Sequence, residues 1–410
     1  MTTIDQNSRR RRPVGLIALD ETAASEGYTL YAPLTGTGEV YLIDLHGRTV
    51  HRWNLPYRPG RHARLLGDGT LAYNGVLPGE RALFPMWHKY RGGVMLRAAP
   101  DGTVLREHRD PLQHHDAHHL DDGRVLYTAL EPLTGAEAAE VRGGVPGSEA
   151  EGDTVWADTI KEVGPDGELL WSWRASEHLD RAAYPLHEAY AREHWPLINS
   201  VTPLRDGNIL ASLRSVSAVV IISRETGEIL WRSRPGAVSQ QHAPTELEDG
   251  RLLVFDNGVF RPGHDVPYSR VIEIDRTSGE IAWEYHDPAR EFFFAPFMGS
   301  AQRLPNGNTL VTDSPSGRLF EVTEDGYLCW EYVVPHFAGY GEQEVRGLFP
   351  SEPNAVFRAY RYAATRKTVE TGAAIIARTC WAESGSSLRR RSAGAPPGWQ
   401  TRALGRGARR

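Results

Sequence analysis

Apolar and polar residues alternate over short runs, as in VYLIDL, VVIISR, RVIEID and RLFEVT, and glycine-bearing turns break the alternation about every ten residues. A period of two puts successive side chains on opposite faces, the pattern of antiparallel strands with one face in a core. A turn followed by a strand that often ends in Trp recurs at DLHGRTVHRW, APDGTVLREH, GPDGELLWSW, SRETGEILWR, DRTSGEIAWEY and TEDGYLCWEY. Between these copies runs a hairpin motif, at HARLLGDGTLAYNG, HDAHHLDDGRVLYTAL, NSVTPLRDGNILASLR, HAPTELEDGRLLVFDN and SAQRLPNGNTLVTDS. Its Asp-Gly or Asn-Gly pair is the strongest short hairpin signal.

The six first turns, at Gly47, Gly102, Gly167, Gly227, Gly279 and Gly326, lie 47 to 65 residues apart, room for about four strands and a variable loop. That is the size of a propeller blade. The pattern therefore predicts an all-β fold, a six-bladed β-propeller of four-stranded antiparallel blades over residues 27–362. Residues 1–26 are read as an N-terminal arm. Residues 363–410 are read as a disordered Arg-rich tail, since 364–410 hold ten Arg and Lys against two Glu. No sixth hairpin is visible after Cys329, whereas GYTLYAPL near the N-terminus is strand-like and unassigned. An N-terminal strand completing the last blade would close the ring and remove its exposed edges.

Aligning the hairpins on their turns yields candidate site residues. Seven residues before each turn Asp or Asn stand Arg61, His115, Asn199, His242 and Gly299, and eight residues after it stand Val76, Leu130, Arg214, Asn257 and Ser314. If the hairpins carry the innermost strands, both sets come to one end of the central channel. His242 is then one of a ring of polar groups that includes His115, Asn199, Arg214 and Asn257, as a small-molecule site requires. The insertions GSEAEGDT and HEAYAREHW read as surface segments, with His194 able to lean over the mouth. The Trp residues that end the repeated strands read as blade packing.

Composition narrows the chemistry. A net charge of −6 without basic clustering in the repeats gives no reason to expect nucleic acid. No apolar run is long enough to span a bilayer, and the N-terminal arginines precede too short an apolar run for a signal segment, so a soluble cytoplasmic protein without membrane partners is expected. Two cysteines, Cys329 and Cys380, make no disulfide framework. Neither a G-x-x-x-x-G-K-[ST] loop nor a G-x-S-x-G elbow occurs. The densest cluster is QHHDAHH, with His114, His115, His118 and His119 around Asp116. Neutral imidazoles from it, with His242, offer one alternative: a divalent metal held by His115, His119 and His242 for lyase or oxygenase chemistry. A non-catalytic propeller that binds a partner on its face is another.

The combination of QHHD, INSVTPLRDGNILASLR with TGEILW, QQHAP with DGRLLVFDNG, and AQRLPNGNTLVTDSPSGRLFEVTEDGYLCWEY resembles the arylsulfotransferase family over roughly residues 27–362. The resemblance implies a six-bladed propeller that moves sulfuryl groups between phenols without a nucleotide donor and without a cofactor. It places the attacking histidine at His242 and sulfate-holding groups at Arg214, Asn199 and His115. Arg61, His62, Asn257 and His194 are then substrate-binding candidates, and the partners are a phenolic donor and acceptor. The order and spacing of the motifs carry the match. One position departs from it: Leu197 stands where the family has a second active-site histidine. Either His194 or His115 takes over that role, or the ring is kept for another reaction.

Overall fold

The computed structural model describes residues 13–79, 82–263, 266–348 and 350–363. The strands form six four-stranded antiparallel sheets arranged as a six-bladed propeller. Blade 2 runs outward from Pro59–Leu65 through Leu71–Val76 and Gly93–Ala98 to Val104–Arg109. Blade 3 runs from Gln113–His119 to Leu169–Arg174, blade 4 from Ile198–Pro203 to Ile229–Arg232, blade 5 from His242–Glu246 to Ile281–Tyr285, and blade 6 from Ser300–Arg303 to Leu328–Val333. In blade 1 the innermost strand is the C-terminal Val356–Tyr362, hydrogen-bonded to Tyr28–Pro33, which leads through Glu39–Ile43 to Thr49–Asn54. Each innermost strand touches that of the next blade all the way round the axis.

Closure differs from the expectation. The sixth hairpin is split between the chain ends, so the C-terminal strand completes the first blade rather than an N-terminal strand the last. Part of the presumed arm is also built in: Gly15–Leu19 pairs with Leu328–Val333 as a fifth strand on blade 6. The tail from residue 364 onward lies outside the described residues.

The recurrent tryptophans act between blades. The indole N–H of Trp173 donates to Gly227 O at 2.8 Å, that of Trp231 to Arg276 O at 3.0 Å, that of Trp283 to Glu324 O at 2.9 Å and that of Trp330 to Leu45 O at 2.8 Å. Each carbonyl belongs to the first turn of the following blade, and the last of these bonds closes blade 6 onto blade 1. Where the tryptophan is missing or turned away, another donor reaches across: His51 Nε2 to Pro100 O at 2.9 Å, and Arg106 to Gly164 O at 2.5 Å. An outer-strand side chain that buries its ring and satisfies a turn carbonyl explains why the repeat ends on Trp.

The inner strands of blades 2 to 5 each carry a β-bulge at the same level. Pairing jumps from Pro59 to Ala63, from His114 to Ala117, from Ile198 to Ser200 and from His242 to Thr245. Bulges bend a strand and re-aim its side chains. His115 and Ala243 take left-handed φ values of 46° and 48° there, conformations that L residues adopt only when the surroundings hold them.

Candidate active site

The bulges divide the channel into two chambers. Phe357 lines one and its neighbour Arg358 the other; Arg61 and His62 separate in the same way, as do His242 and Ala243. The wider chamber, about 290 Å³, opens at the end of the channel where Arg61, His115 and His242 converge with Arg214. The narrower one, about 180 Å³, is lined by His62, Arg64, Asn74, His118, His119 and Arg358 among others.

Between them lies an ionic layer built on Asp116. Its carboxylate meets both terminal nitrogens of Arg358 at 3.0 Å, accepts from His62 Nε2 at 2.9 Å, and accepts the Val201 amide at 3.0 Å. Burial would push the Asp116 carboxyl up, but Arg358 and His62 outweigh it and hold the group well below the carboxylate range. One side chain thus ties blades 1, 2, 3 and 4 together at the axis.

His242 is 2% exposed, and both of its ring nitrogens have partners. The amide nitrogen of Asn257 donates to Ala295 O and Met298 O, each at 2.7 Å, which leaves Asn257 Oδ1 facing His242 Nδ1 at 2.7 Å. An acceptor there requires the proton on Nδ1, so the lone pair resides on Nε2. That lone pair accepts a longer bond, 3.2 Å, from the Met298 amide. Burial, then the nearby Arg214 guanidinium, keep the imidazole well below its usual pKa and therefore neutral at pH 7.

His115 presents a second imidazole to the chamber. Its Nδ1 lies 2.8 Å from His114 Nδ1, and His114 Nε2 in turn sits 2.9 Å from Asp158 Oδ1, off the ideal direction for a straight hydrogen bond. If His114 keeps its proton toward the carboxylate, its Nδ1 accepts from His115. The Nε2 of His115 is then a lone pair with no protein partner among the described residues. His194 also lines the chamber, but its Nδ1 is engaged by the Tyr90 hydroxyl and its Nε2 by Asp158 Oδ1, both at 3.1 Å. The ligand atoms of His114, Asp158 and His194 all lie within 4.8 Å of one another, a spacing that a shared carboxylate acceptor accounts for.

Not every expected residue reaches the chamber. Asn199 falls in the bulge of blade 4 and is buried, its amide donating to Gln241 O at 2.8 Å, so it holds the backbone before His242 rather than facing a ligand. Asn257 stands behind His242. His62 belongs to the ionic layer and the narrow chamber. His119 also faces that chamber, bonded to Asn74 Oδ1 at 3.2 Å, so His115, His119 and His242 do not converge on one point. The bulge after His114 is the reason: it breaks the alternation that would otherwise set His115 and His119 on one face.

Other groups in the chamber come from segments outside the repeat. The segment HEAYAREHW, expected on the surface, supplies Tyr190, Glu193 and His194, because His194–Trp195 pairs with the blade 3 strand Val155–Val163. The helix Trp87–Tyr90 brings Lys89 and Tyr90, and the connection after blade 6 brings Tyr340. Leu197 lines the chamber at φ 62°, part of an apolar wall with Phe297, Met298 and Phe357.

Burial pushes six channel histidines, His62, His114, His115, His118, His119 and His242, below the ordinary imidazole value, His119 to about 3. Below pH 6.5 the unfolded chain binds protons at these positions that the folded chain refuses, so stability falls as pH falls. Each group contributes up to about 1.4 kcal/mol per pH unit. Thermal unfolding is expected to shift steeply downward between pH 7 and pH 5, and a flat Tm over that interval would contradict the buried neutral assignment.

An arylsulfotransferase family model matches residues 91–334. No curated protein sequence matches the chain. Among solved structures, a protein of unknown function from Bacteroides caccae is 15% identical, with 75% of this chain and 94% of that one aligned at a TM-score of 0.47. Virginiamycin B lyase from Staphylococcus aureus is 13% identical over 79% of this chain and 89% of that one at 0.43. Kuenenia stuttgartiensis hydrazine synthase is 13% identical over 82% and 95%, also at 0.43. Among the described residues no helix is long and apolar enough to cross a membrane.

Proposed function

The chain belongs to the arylsulfotransferase family, and from that premise we propose that it transfers a sulfuryl group from an aryl sulfate to a phenolic acceptor through a sulfohistidine at His242. The observation that best supports this is the orientation of His242: Asn257 fixes the proton on Nδ1 and directs an unprotonated Nε2 toward the chamber, beside Arg214. A neutral imidazole with a fixed tautomer is a competent nucleophile at pH 7.

In the first step Nε2 attacks the donor sulfur, displacing the long hydrogen bond from Met298. The S–N bond forms, the S–O bond to the aryl group breaks, and the phenolate leaves with the electron pair. In the second step the acceptor phenol gives its proton to His115 Nε2 while its oxygen bonds sulfur, and the S–N pair returns to His242. His115 suits this role better than His194, whose two nitrogens are both engaged. Leu197 then needs no replacement in kind, because the base comes from blade 3. Charge that develops on the sulfuryl oxygens is balanced by Arg214, which is held by Pro296 O at 3.4 Å and lies over the Tyr190 ring at 5.4 Å.

Arg214→Lys tests this arrangement. An ammonium cannot reproduce a planar two-pronged donor, so release of nitrophenol from nitrophenyl sulfate is expected to slow by about 10²-fold, roughly 2.7 kcal/mol. A rate within a factor of two of the wild type would remove Arg214 from the reaction.

A further inference from the structure

The chamber holds more positive charge than one sulfuryl group requires. Arg58, Arg61, Lys89 and Arg214 line it against a single carboxylate, Glu193, which burial pushes up toward its neutral form. Arg58 is accounted for by Glu342 at 2.5 Å, and Arg214 stands beside His242. Arg61 is the unusual one. It is 4% exposed, bonds only the backbone carbonyls of Gly60 at 2.7 Å and Lys89 at 3.1 Å, and keeps a buried Nε without any partner. Among the described residues no carboxylate lies within ion-pair distance of it. A guanidinium buried without a counter-ion is costly and persists where a ligand supplies the missing charge. Burial pulls its pKa down to about 9, in keeping with that missing counter-ion.

Arg61 comes from blade 2 and stands on the His115 side of the chamber, near enough to help hold that imidazole neutral. The ring of Phe357 adjoins both Arg61 and His242, its centroid 6.5 Å from that of the His242 ring and 5.3 Å from the Arg61 guanidinium. An aromatic substrate packed along the apolar wall of Leu197, Phe297 and Phe357 would present one end to His242 and Arg214 and the other to Arg61. Resting on the sulfotransferase reading, we infer that the substrates of this site are phenols and aryl sulfates that carry a second anionic group, a carboxylate, received by Arg61. Lys89, from the adjoining helix, borders the same wall with its side-chain nitrogen 3.9 Å from the Phe297 ring centroid, and burial, then Arg61 and Arg214, draw its pKa down to about 7, where an anion beside it would restore the proton.

Calorimetric titration of the full chain with 3- and 4-hydroxybenzoate, against the uncharged 3- and 4-hydroxybenzamides, tests the inference without needing turnover. At least one carboxylate is expected to bind tenfold or more tightly than its amide, and Arg61→Gln is expected to bring that ratio close to one. A wild-type ratio near one for both pairs would overturn the inference, and that comparison stands even if the variant fails to fold. A ratio that survives in a folded Arg61→Gln variant would overturn it as well. Nitrophenol release from nitrophenyl sulfate, measured alongside, keeps the two readings apart. Turnover without a carboxylate preference removes the Arg61 subsite and leaves sulfotransfer standing, whereas a preference without turnover with any donor does the reverse.

Discussion

Replacing His242 with alanine is expected to lower phenol release from an activated aryl sulfate by at least about 10³-fold, a loss of some 4 kcal/mol of transition-state stabilisation. A covalent route has no substitute for its nucleophile, and no other imidazole in the chamber presents a free nitrogen beside Arg214. His194 is engaged at both nitrogens, and His115 lies on another blade with its Nδ1 committed to His114. The fold should survive the change. Asn257 retains the carbonyls of Ala295 and Met298 as acceptors for its amide, so only its oxygen and the Met298 amide lose a partner, and both can be met by water entering the chamber. A folded His242→Ala protein with near wild-type turnover would place the nucleophile elsewhere.

The second large effect concerns stability. Asp116→Ala is expected to destabilise the chain by about 3–5 kcal/mol, the cost of leaving a buried charge without its counter-ion. Arg358 would lose both of its charged contacts, the Val201 amide its acceptor and His62 its carboxylate, all within a layer where exposure is below a tenth. Denaturant unfolding with unchanged slope reads this shift directly. A loss below about 1 kcal/mol would mean that water replaces the carboxylate easily and that the layer does not bind the inner strands together.

The repeat was legible because both of its signals have a single physical cause. Asp-Gly and Asn-Gly mark the hairpin turns, and the terminal Trp marks an indole that must reach the next blade. Counting from those turns brought Arg61, His115, His242 and Arg214 to one chamber. Asn199 and Asn257 come to the same level but stand behind the chamber wall, Asn199 bonded to Gln241 O and Asn257 to His242 Nδ1, contacts that a count from the turns does not reveal. His62 and His119 were drawn in by residue type, although His62 faces the opposite chamber from its neighbour Arg61 and the bulge after His114 turns His119 away from His115. Lys89, Tyr90, Tyr190, Glu193 and Tyr340 carried no repeat signal at all. They sit in insertions whose path over the mouth is set by contacts distant in sequence, such as the pairing of His194–Trp195 with blade 3. The split hairpin was hidden for a similar reason, since its two strands pair in blade 1 but stand more than 300 residues apart in the sequence.

The most direct measurement of the central claim is peptide mass spectrometry on the protein quenched during reaction with nitrophenyl sulfate in the absence of an acceptor. The account predicts a burst of one nitrophenol per chain and one sulfuryl mass on the peptide that contains His242, discharged when a phenol is added. A burst with the sulfuryl group on any other residue, or steady turnover with no adduct at all, would contradict it.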